Sequence, residues 1–232
     1  MWTILLAIVC SALGADGVSA KEVSGEWRYV EMTVDLKATK LRVVRDQSGA
    51  FLNDLIPKGA MAAINGGYFD DKFKPTGWLV DDAREYAKRV ESKKGGVLYV
   101  KNKEAFLSRM ATSDREPEFA LQNGPFLIEP DGNIGIRSDD GKRAARTIAC
   151  VDGKHEHGIR RGKLRWILIF SSPNGAPTLM ESAKFLKEKL SCSSALNLDG
   201  GPSTGYWALP KFKLSGSLPI VPIGYGVAMV PR

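Results

Sequence analysis

Three short blocks place polar side chains directly before glycine at the end of an apolar run. Ala62-Ala63-Ile64 leads into Asn65-Gly66-Gly67, Ala120-Leu121 into Gln122-Asn123-Gly124, and Ala195-Leu196-Asn197-Leu198 into Asp199-Gly200-Gly201. Glycine permits positive φ and lets a second backbone or a ligand come close. A polar group there is held by a strand yet stands at the sheet's end, which suits a binding site; a plain Asn-Gly hairpin turn is the bland alternative. Asp199 stands out, because a carboxylate before Gly-Gly has few structural duties beyond an Asx-turn. The neighbouring Gly200 and Gly201 amides can form a nest for phosphate oxygens. Arg146, one residue before an apolar run starting at Thr147, offers a planar fork for phosphate. Arg143, three residues earlier, leaves open that Arg146 is part of a basic surface.

Two other patterns promise chemistry and fail on context. Gly201-Pro202-Ser203-Thr204-Gly205 fits the letters of a serine-hydrolase elbow, but that elbow needs a helix after the serine and a later histidine. Tyr206-Trp207-Ala208-Leu209-Pro210 follows instead, and both histidines come earlier. His155 and His157 are spaced to share a strand face as zinc ligands, yet they sit among Asp152, Gly153, Lys154, Glu156 and Gly158 with no evident third ligand. A solvated hairpin tip is expected. A zinc hydrolase would reveal itself by stoichiometric metal and loss of activity to a chelator.

The elements that must position these residues are mostly strands. Apolar runs punctuated by Gly, Pro and Asn predict strands over Tyr29–Leu36, Leu41–Val44, Met61–Ile64, Val97–Val100, Phe119–Leu121, Phe126–Ile128, Thr147–Val151, Leu164–Phe170, Ala195–Leu198 and Tyr225–Val230. Pro130-Asp131-Gly132-Asn133 reads as a hairpin turn. One helix is expected over about 178–190: Thr178 and Glu181 form a capping box, and Leu179, Ala183, Leu186 and Leu190 recur at helical spacing. Asp81–Arg89 reads as a second short helix or an irregular loop. The class is therefore α+β, a β-rich single domain with mixed sheets.

Residues 2–15 are almost unbroken apolar, and Val18-Ser19-Ala20 offers small residues for signal peptidase, so residues 1–20 are expected to be a signal peptide and 21–232 the domain. The stretch is short for a membrane span, and no stable span is expected once it is removed. Removing it leaves 212 residues and raises the formal net charge of +7 by one unit, since its only charge is Asp16. Such a balance favours anionic partners. The cations are scattered, with clusters only at Lys93-Lys94 and Arg160-Arg161, so nucleic acid is not expected. Cys10 lies in the leader without a lipidation context. Cys150 and Cys192 remain, and an oxidising compartment permits but does not require their pairing.

In order, Asn65-Gly66-Gly67-Tyr68-Phe69 with Pro75-Thr76-Gly77, Gln122-Asn123-Gly124-Pro125-Phe126-Leu127, Arg146-Thr147, the helix near Leu179 and Ala195 through Ser203 resemble the phosphodiester glycosidase family. The family's last block usually reads Asp-Gly-Gly-Gly-Ser-Ser; here Pro202 and Thr204 intervene, and Pro202 removes one amide from the nest. The resemblance implies water attacking an anomeric carbon while a phosphate monoester leaves. Arg146 with the Gly200 and Gly201 amides would hold the phosphate. Asp199 would act as base, nucleophile or cation stabiliser. Asn65, Gln122 and Thr147 would orient sugar or phosphate, with Gly66, Gly67, Tyr68, Gly124, Asn197 and Ser203 lining the substrate. Asp70 is the best second carboxylate, a turn aspartate being its plain alternative, and carboxylate separation decides retention or inversion. The implied partner is a phosphorylated carbohydrate of surface polysaccharide, met in the periplasm or outside the cell. No cofactor is implied; a divalent cation such as Ca²⁺ near Asp199 or Asp70 stays open. The alternative function is a noncatalytic protein binding anionic or phosphorylated surface glycans.

Overall fold

Burial on both faces of the longest strands sets the architecture. The computed structural model describes residues 17–91, 95–109, 117–172 and 175–232. Most of the expected leader with Cys10, and the Lys93-Lys94 cluster, lie outside these residues. In chain order the elements are β1 (Val18–Val23), β2 (Tyr29–Val34), β3 (Thr39–Val44), β4 (Ala62–Asn65), β5 (Leu79–Asp81), β6 (Arg84–Ala87), β7 (Gly96–Lys101) and β8 (Glu104–Ser108). They continue with β9 (Phe119–Asn123), β10 (Phe126–Ile128), β11 (Arg146–Glu156), β12 (Ile159–Ile169), α1 (Leu179–Glu188), β13 (Ala195–Asn197), β14 (Tyr206–Ala208) and β15 (Gly226–Pro231).

An 11-stranded sheet runs β10-β13-β11-β12-β8-β7-β9-β5-β6, with β2 joining β12 and β1 joining β2. A 4-stranded sheet runs β14-β4-β15-β3. Every strand pair is antiparallel. Successive side chains of a strand point to opposite faces. Thus Leu164, Trp166 and Leu168 of β12 join the core between the two sheets, with Ile64, Val227 and Met229 from the smaller one. Ile167 and Ile169 point the other way and pack with Ile148, Ala183 and Leu186 under α1. Each such large apolar side chain, once buried, stabilises by roughly 1.5–3 kcal/mol. The result is three layers: helix, large sheet, small sheet.

The hairpin β11–β12 changes partners along its length, Leu164–Ile169 pairing with β2 and Ile159–Gly162 with β8. Gly153 and Gly162 face each other at the change, both at φ +149, and a Cβ on Gly162 would lie 2.0 Å from the Asp152 carbonyl oxygen. Only glycine fits there.

The helix forms as expected: Thr178 accepts from the Glu181 N–H at 3.1 Å while Glu181 accepts from the Thr178 N–H at 2.9 Å. The Pro130–Asn133 turn closes through Glu129 N–H to Asn133 carbonyl, 2.7 Å. His155 and His157 lie on the exposed tip of the β11–β12 hairpin. Asp81–Arg89 is neither helix nor loop. It is the hairpin β5–β6, turned by Asp82 and Ala83 at φ 51 and 61. Cys150 and Cys192 are joined in a disulfide with Cα atoms 6.0 Å apart. β1 starts at Val18, inside the expected leader, and buries Val18 and Ala20 in the main core.

Candidate active site

β4, β9 and β13 end, and β11 begins, in one place. The three polar–glycine blocks meet there. Asn65 Nδ2 donates to the Asp199 carbonyl at 2.9 Å, and the Asp199 N–H to the Gly66 carbonyl at 3.3 Å, which joins the first block to the third. The Tyr68 N–H reaches Asn123 Oδ1 at 3.4 Å, joining the first to the second. Asn197 Nδ2 reaches both the Tyr68 hydroxyl at 3.1 Å and the Gly124 carbonyl at 3.4 Å. Close approach demands the glycines: a Cβ on Gly66 would lie 2.3 Å from the Tyr225 ring, and one on Gly67 2.6 Å from the Tyr225 hydroxyl. Burial drives the Tyr225 hydroxyl well above its ordinary range, so it stays a neutral packing group.

Within this cluster the side chains divide into those that hold and those that can act. Asn65 and Thr147 hold. Thr147 donates to Asn65 Oδ1 at 2.7 Å, the same oxygen takes the Gly205 N–H at 3.2 Å, and both residues are buried. Their donors are thus spent internally, and Asn65 holds the Asp199 backbone. Gln122 also holds: its Oε1 accepts from the Trp78 and Val90 amides, both at 3.0 Å, and its Nε2 donates to the Val90 carbonyl. The clamp fixes Gln122 in the wall of the cleft with one amide hydrogen left over.

The expected amide nest is likewise consumed. The Gly200 N–H donates to its neighbour's Asp199 Oδ1 at 2.9 Å, the Gly201 N–H to the Ala145 carbonyl at 2.8 Å, and Pro202 has none to give. Residues Gly201–Ser203 form a single 3-10 turn that folds back on itself. Asp70 is exposed, and its Oδ1 accepts from Lys72 and Lys74 amides at 2.9 and 2.8 Å. Those bonds and the two lysines hold its pKa below the ordinary value. It shapes a turn.

Asp199, Arg146, Tyr68 and Asn197 remain. Burial raises the Asp199 pKa, opposed by hydrogen bonds from the Ser203 side chain and the Gly200 N–H. Arg146 is 9% exposed; one Nη donates to the Lys142 carbonyl at 2.7 Å and to the Pro177 carbonyl at 3.4 Å, while Nε has no partner. No carboxylate forms an ion pair with it among the described residues. Arg143, its neighbour in sequence, instead forms a bidentate pair with Glu181 at 2.9 and 2.8 Å. Burial pulls the Arg146 pKa down, opposed by Tyr68, Asp140 and Asp139. Tyr68 ties the cation to the carboxylate: burial and the Asp199 charge raise its hydroxyl pKa, while Asn197 and Arg146 lower it. A buried guanidinium with a free donor is suited to an anion, and a half-buried carboxylate nearby to moving a proton or meeting positive charge.

A cleft of ≈ 530 Å³ opens beside this cluster, its wall including Tyr68, Gln122, Asn123, Gly124, Val90 and Glu91; Tyr68 links it to Asn197, and Arg146, Asp199 and Asn197 stand behind the wall rather than in it. Two of these carry functional groups beyond the site residues expected above. Asn123 Nδ2 is buried without a partner, although its place between Gln122 and Gly124 was a signal. Glu91 brings a carboxylate to the cleft wall, with no motif around it. The group of His, Cys, Asp or Glu side chains close enough together for a metal, among the described residues, is Cys150, Asp152 and Cys192. Its two sulfurs are spent on the disulfide.

The family model described as phosphodiester glycosidase matches residues 58–226. No curated protein matches the chain by sequence. The catalytic domain of zebrafish N-acetylglucosamine-1-phosphodiester alpha-N-acetylglucosaminidase, auto-inhibited by its pro-peptide, superposes with TM-score 0.67 at 16% identity, over 98% of this chain and 83% of that one. A Synechocystis protein gives TM-score 0.65 at 14% identity, over 97% of this chain and 64% of its own length. A Burkholderia pseudomallei protein described as exported gives 0.61 at 13% identity, over 90% and 74%.

Proposed function

Because the chain belongs to the phosphodiester glycosidase family, we propose that it hydrolyses the bond between a sugar's anomeric carbon and a phosphate. The observation that carries this reading is Arg146, buried, unpaired and with a free Nε, next to a Tyr68 hydroxyl that also feels Asp199. Arg146 takes the phosphate of the substrate. Asp199 takes a proton from the attacking water, attacks the anomeric carbon itself, or faces the oxocarbenium-like transition state. The anomeric carbon–oxygen bond breaks, water's hydroxyl ends on the sugar, and its proton ends on the released phosphate monoester or solvent. A phosphate monoester leaves as a stable anion, so the demand on the site is charge stabilisation more than protonation. Asn197 directs the Tyr68 hydroxyl, and Asn65 with Thr147 fixes the Asp199 backbone. Glu91, on the cleft wall, is the candidate second carboxylate whose distance from Asp199 in the substrate complex would govern retention or inversion.

Export to the periplasm or beyond, with a phosphorylated surface glycan as substrate, belongs to the same proposal. The apolar N-terminus and the Cys150–Cys192 disulfide support it, because such bonds persist in oxidising compartments. So does the structural likeness to a protein described as exported. No helix of the described residues is long and apolar enough to cross a membrane.

The test is incubation of the purified protein with an N-acetylglucosamine-1-phosphodiester, following free sugar and phosphate monoester, with Asp199→Asn alongside. Wild-type turnover that the variant loses supports the proposal. Undiminished turnover in the variant removes Asp199 from the mechanism, and binding without turnover in both makes the chain a glycan binder.

A further inference from the structure

A second cleft, of ≈ 400 Å³, lies at the edge of the large sheet and is lined by Arg45, Gln47, Arg84, Glu85 and Tyr86. Arg84 and Tyr86 are two residues apart on β6, so they share a face, while Glu85, also in the cleft wall, accepts from the Trp78 indole at 2.9 Å. Arg45 comes from the chain just after β3. The two guanidinium carbons stand 5.8 Å (Arg45) and 5.2 Å (Arg84) from the centroid of the half-exposed Tyr86 ring.

The nearby acids have partners of their own, Glu85 in the cleft wall holding the Trp78 indole. Asp81 grips Arg42 from 3.0 Å, Asp82 lies 3.9 Å from Lys40, and Asp46 spends one oxygen on the Ser48 amide and hydroxyl. Among the described residues Arg45 and Arg84 form no ion pair; the exposed Asp46 carboxylate, next in sequence to Arg45, is the acid whose charge bears on it, and two like charges converge on one ring. Solvent screens them, yet nothing in the fold calls for the arrangement. An anion seated between two guanidinium forks, with a flat ring below it and the Gln47 amide beside it, would satisfy all four groups.

The place of this patch says what bears the anion. From Tyr86 the chain runs through Lys88 and Arg89 to Val90 and Glu91 in the wall of the first cleft. Four residues of extended chain cover about 13 Å. A polymer occupying the first cleft therefore meets the patch a short way further along. We propose that Arg45, Arg84 and Tyr86 form an accessory subsite for an anionic glycan, gripping an acidic or phosphorylated sugar of the polymer whose linkage reaches the first cleft. The choice of a glycan rests on the hydrolase reading; the recognition of an anion does not.

Binding is measured by calorimetry, without turnover, so an inactive enzyme would not mask it. The probes are an oligogalacturonate, a phosphorylated oligomannose and a neutral oligomannose of matched length. Expected is tighter binding of at least one anionic probe than of the neutral one, weakened by added salt. The anionic probe bound more tightly shows whether carboxylate or phosphate is read. The double variant Arg45→Gln/Arg84→Gln and the single variant Tyr86→Ala should each weaken it by about tenfold or more. Both should leave the thermal midpoint, and any turnover of a small sugar-1-phosphodiester, as in the wild type. Equal binding of charged and neutral probes, or unchanged affinity in both variants, overturns the proposal. So does a single-stranded oligonucleotide outcompeting both anionic glycans, since an arginine-flanked ring can also stack a base.

Discussion

Arg146→Met separates a structural guanidinium from one kept for an anion. The side chain is 9% exposed and holds one good hydrogen bond, to the Lys142 carbonyl at 2.7 Å, and a long one to Pro177 at 3.4 Å. Losing two charge-assisted bonds to carbonyls costs about 2–4 kcal/mol at most. Against this, the free protein no longer buries a cation whose Nε is unpartnered, and such desolvation amounts to several kcal/mol. The two nearly cancel, so the variant's stability should lie within about 1 kcal/mol of wild type. Ligand binding should behave otherwise. Removing one partner of a buried charge pair costs about 2–5 kcal/mol, which is roughly 30-fold to several-thousand-fold in affinity. The assay is thermal unfolding of both proteins with increasing sugar-1-phosphate. A ligand that binds only the folded state raises the midpoint in proportion to its occupancy, so wild type should climb steadily and the variant hardly at all. A variant that unfolds much earlier, yet gains as much from sugar-1-phosphate as wild type, would refute the reasoning.

Asp199 gives a pH prediction of defined sign. Its folded pKa is raised by burial, so the stability it contributes is full below the unfolded pKa and lost as pH rises through the folded one. Asp199→Asn should therefore match or exceed wild-type stability at neutral pH in denaturant titrations. Its turnover should fall by about 10²–10⁴-fold. Wild-type activity that needs the carboxylate ionised should decline on acidification at a pH above that of an ordinary aspartate, read from a kcat/KM profile. Reduction of Cys150–Cys192, 42 residues apart, should remove about 4 kcal/mol in urea unfolding by the loop-entropy relation. The mature N-terminus should lie at or before Gly17, whose carbonyl accepts the Asp35 N–H at 2.7 Å and the Thr39 hydroxyl at 3.0 Å. An exported protein whose intact mass begins at Lys21, and which is as stable as the longer form, would contradict that.

What could be read in the sequence follows from how local each signal is. The capping box of Thr178 and Glu181 and the two-faced apolar run Leu164–Ile169 state their structures within a few residues, and both form. The β5–β6 hairpin hides because β6 is an exposed edge strand with no apolar alternation, and its turn uses Asp82 and Ala83 at positive φ where glycine or asparagine is usual. β1 hides because Val18-Ser19-Ala20 reads as a cleavage motif. In the site, the three polar–glycine blocks are legible as blocks, and they meet. The direction of each amide is not. Asn65, Thr147 and Gln122 turn inward because partners more than 30 residues away supply their hydrogen bonds. The Gly201 amide closes on the distant Ala145 carbonyl for the same reason, while the Gly200 amide closes on the adjacent Asp199 side chain.

The disulfide has a bearing on the site beyond its energy. β13 meets β11 through only three residue pairs, Ile148 with Asn197, Ala149 with Leu196 and Cys150 with Ala195. So short a ladder has little to prevent a one-residue slip, and a slip turns every side chain of the strand to its opposite face. Asn197 would then point away from the Tyr68 hydroxyl. Cys150 lies on the strand that starts with Arg146, and Cys192 on the approach to β13, so their bond helps fix the alignment of the two strands that carry Arg146 and Asn197.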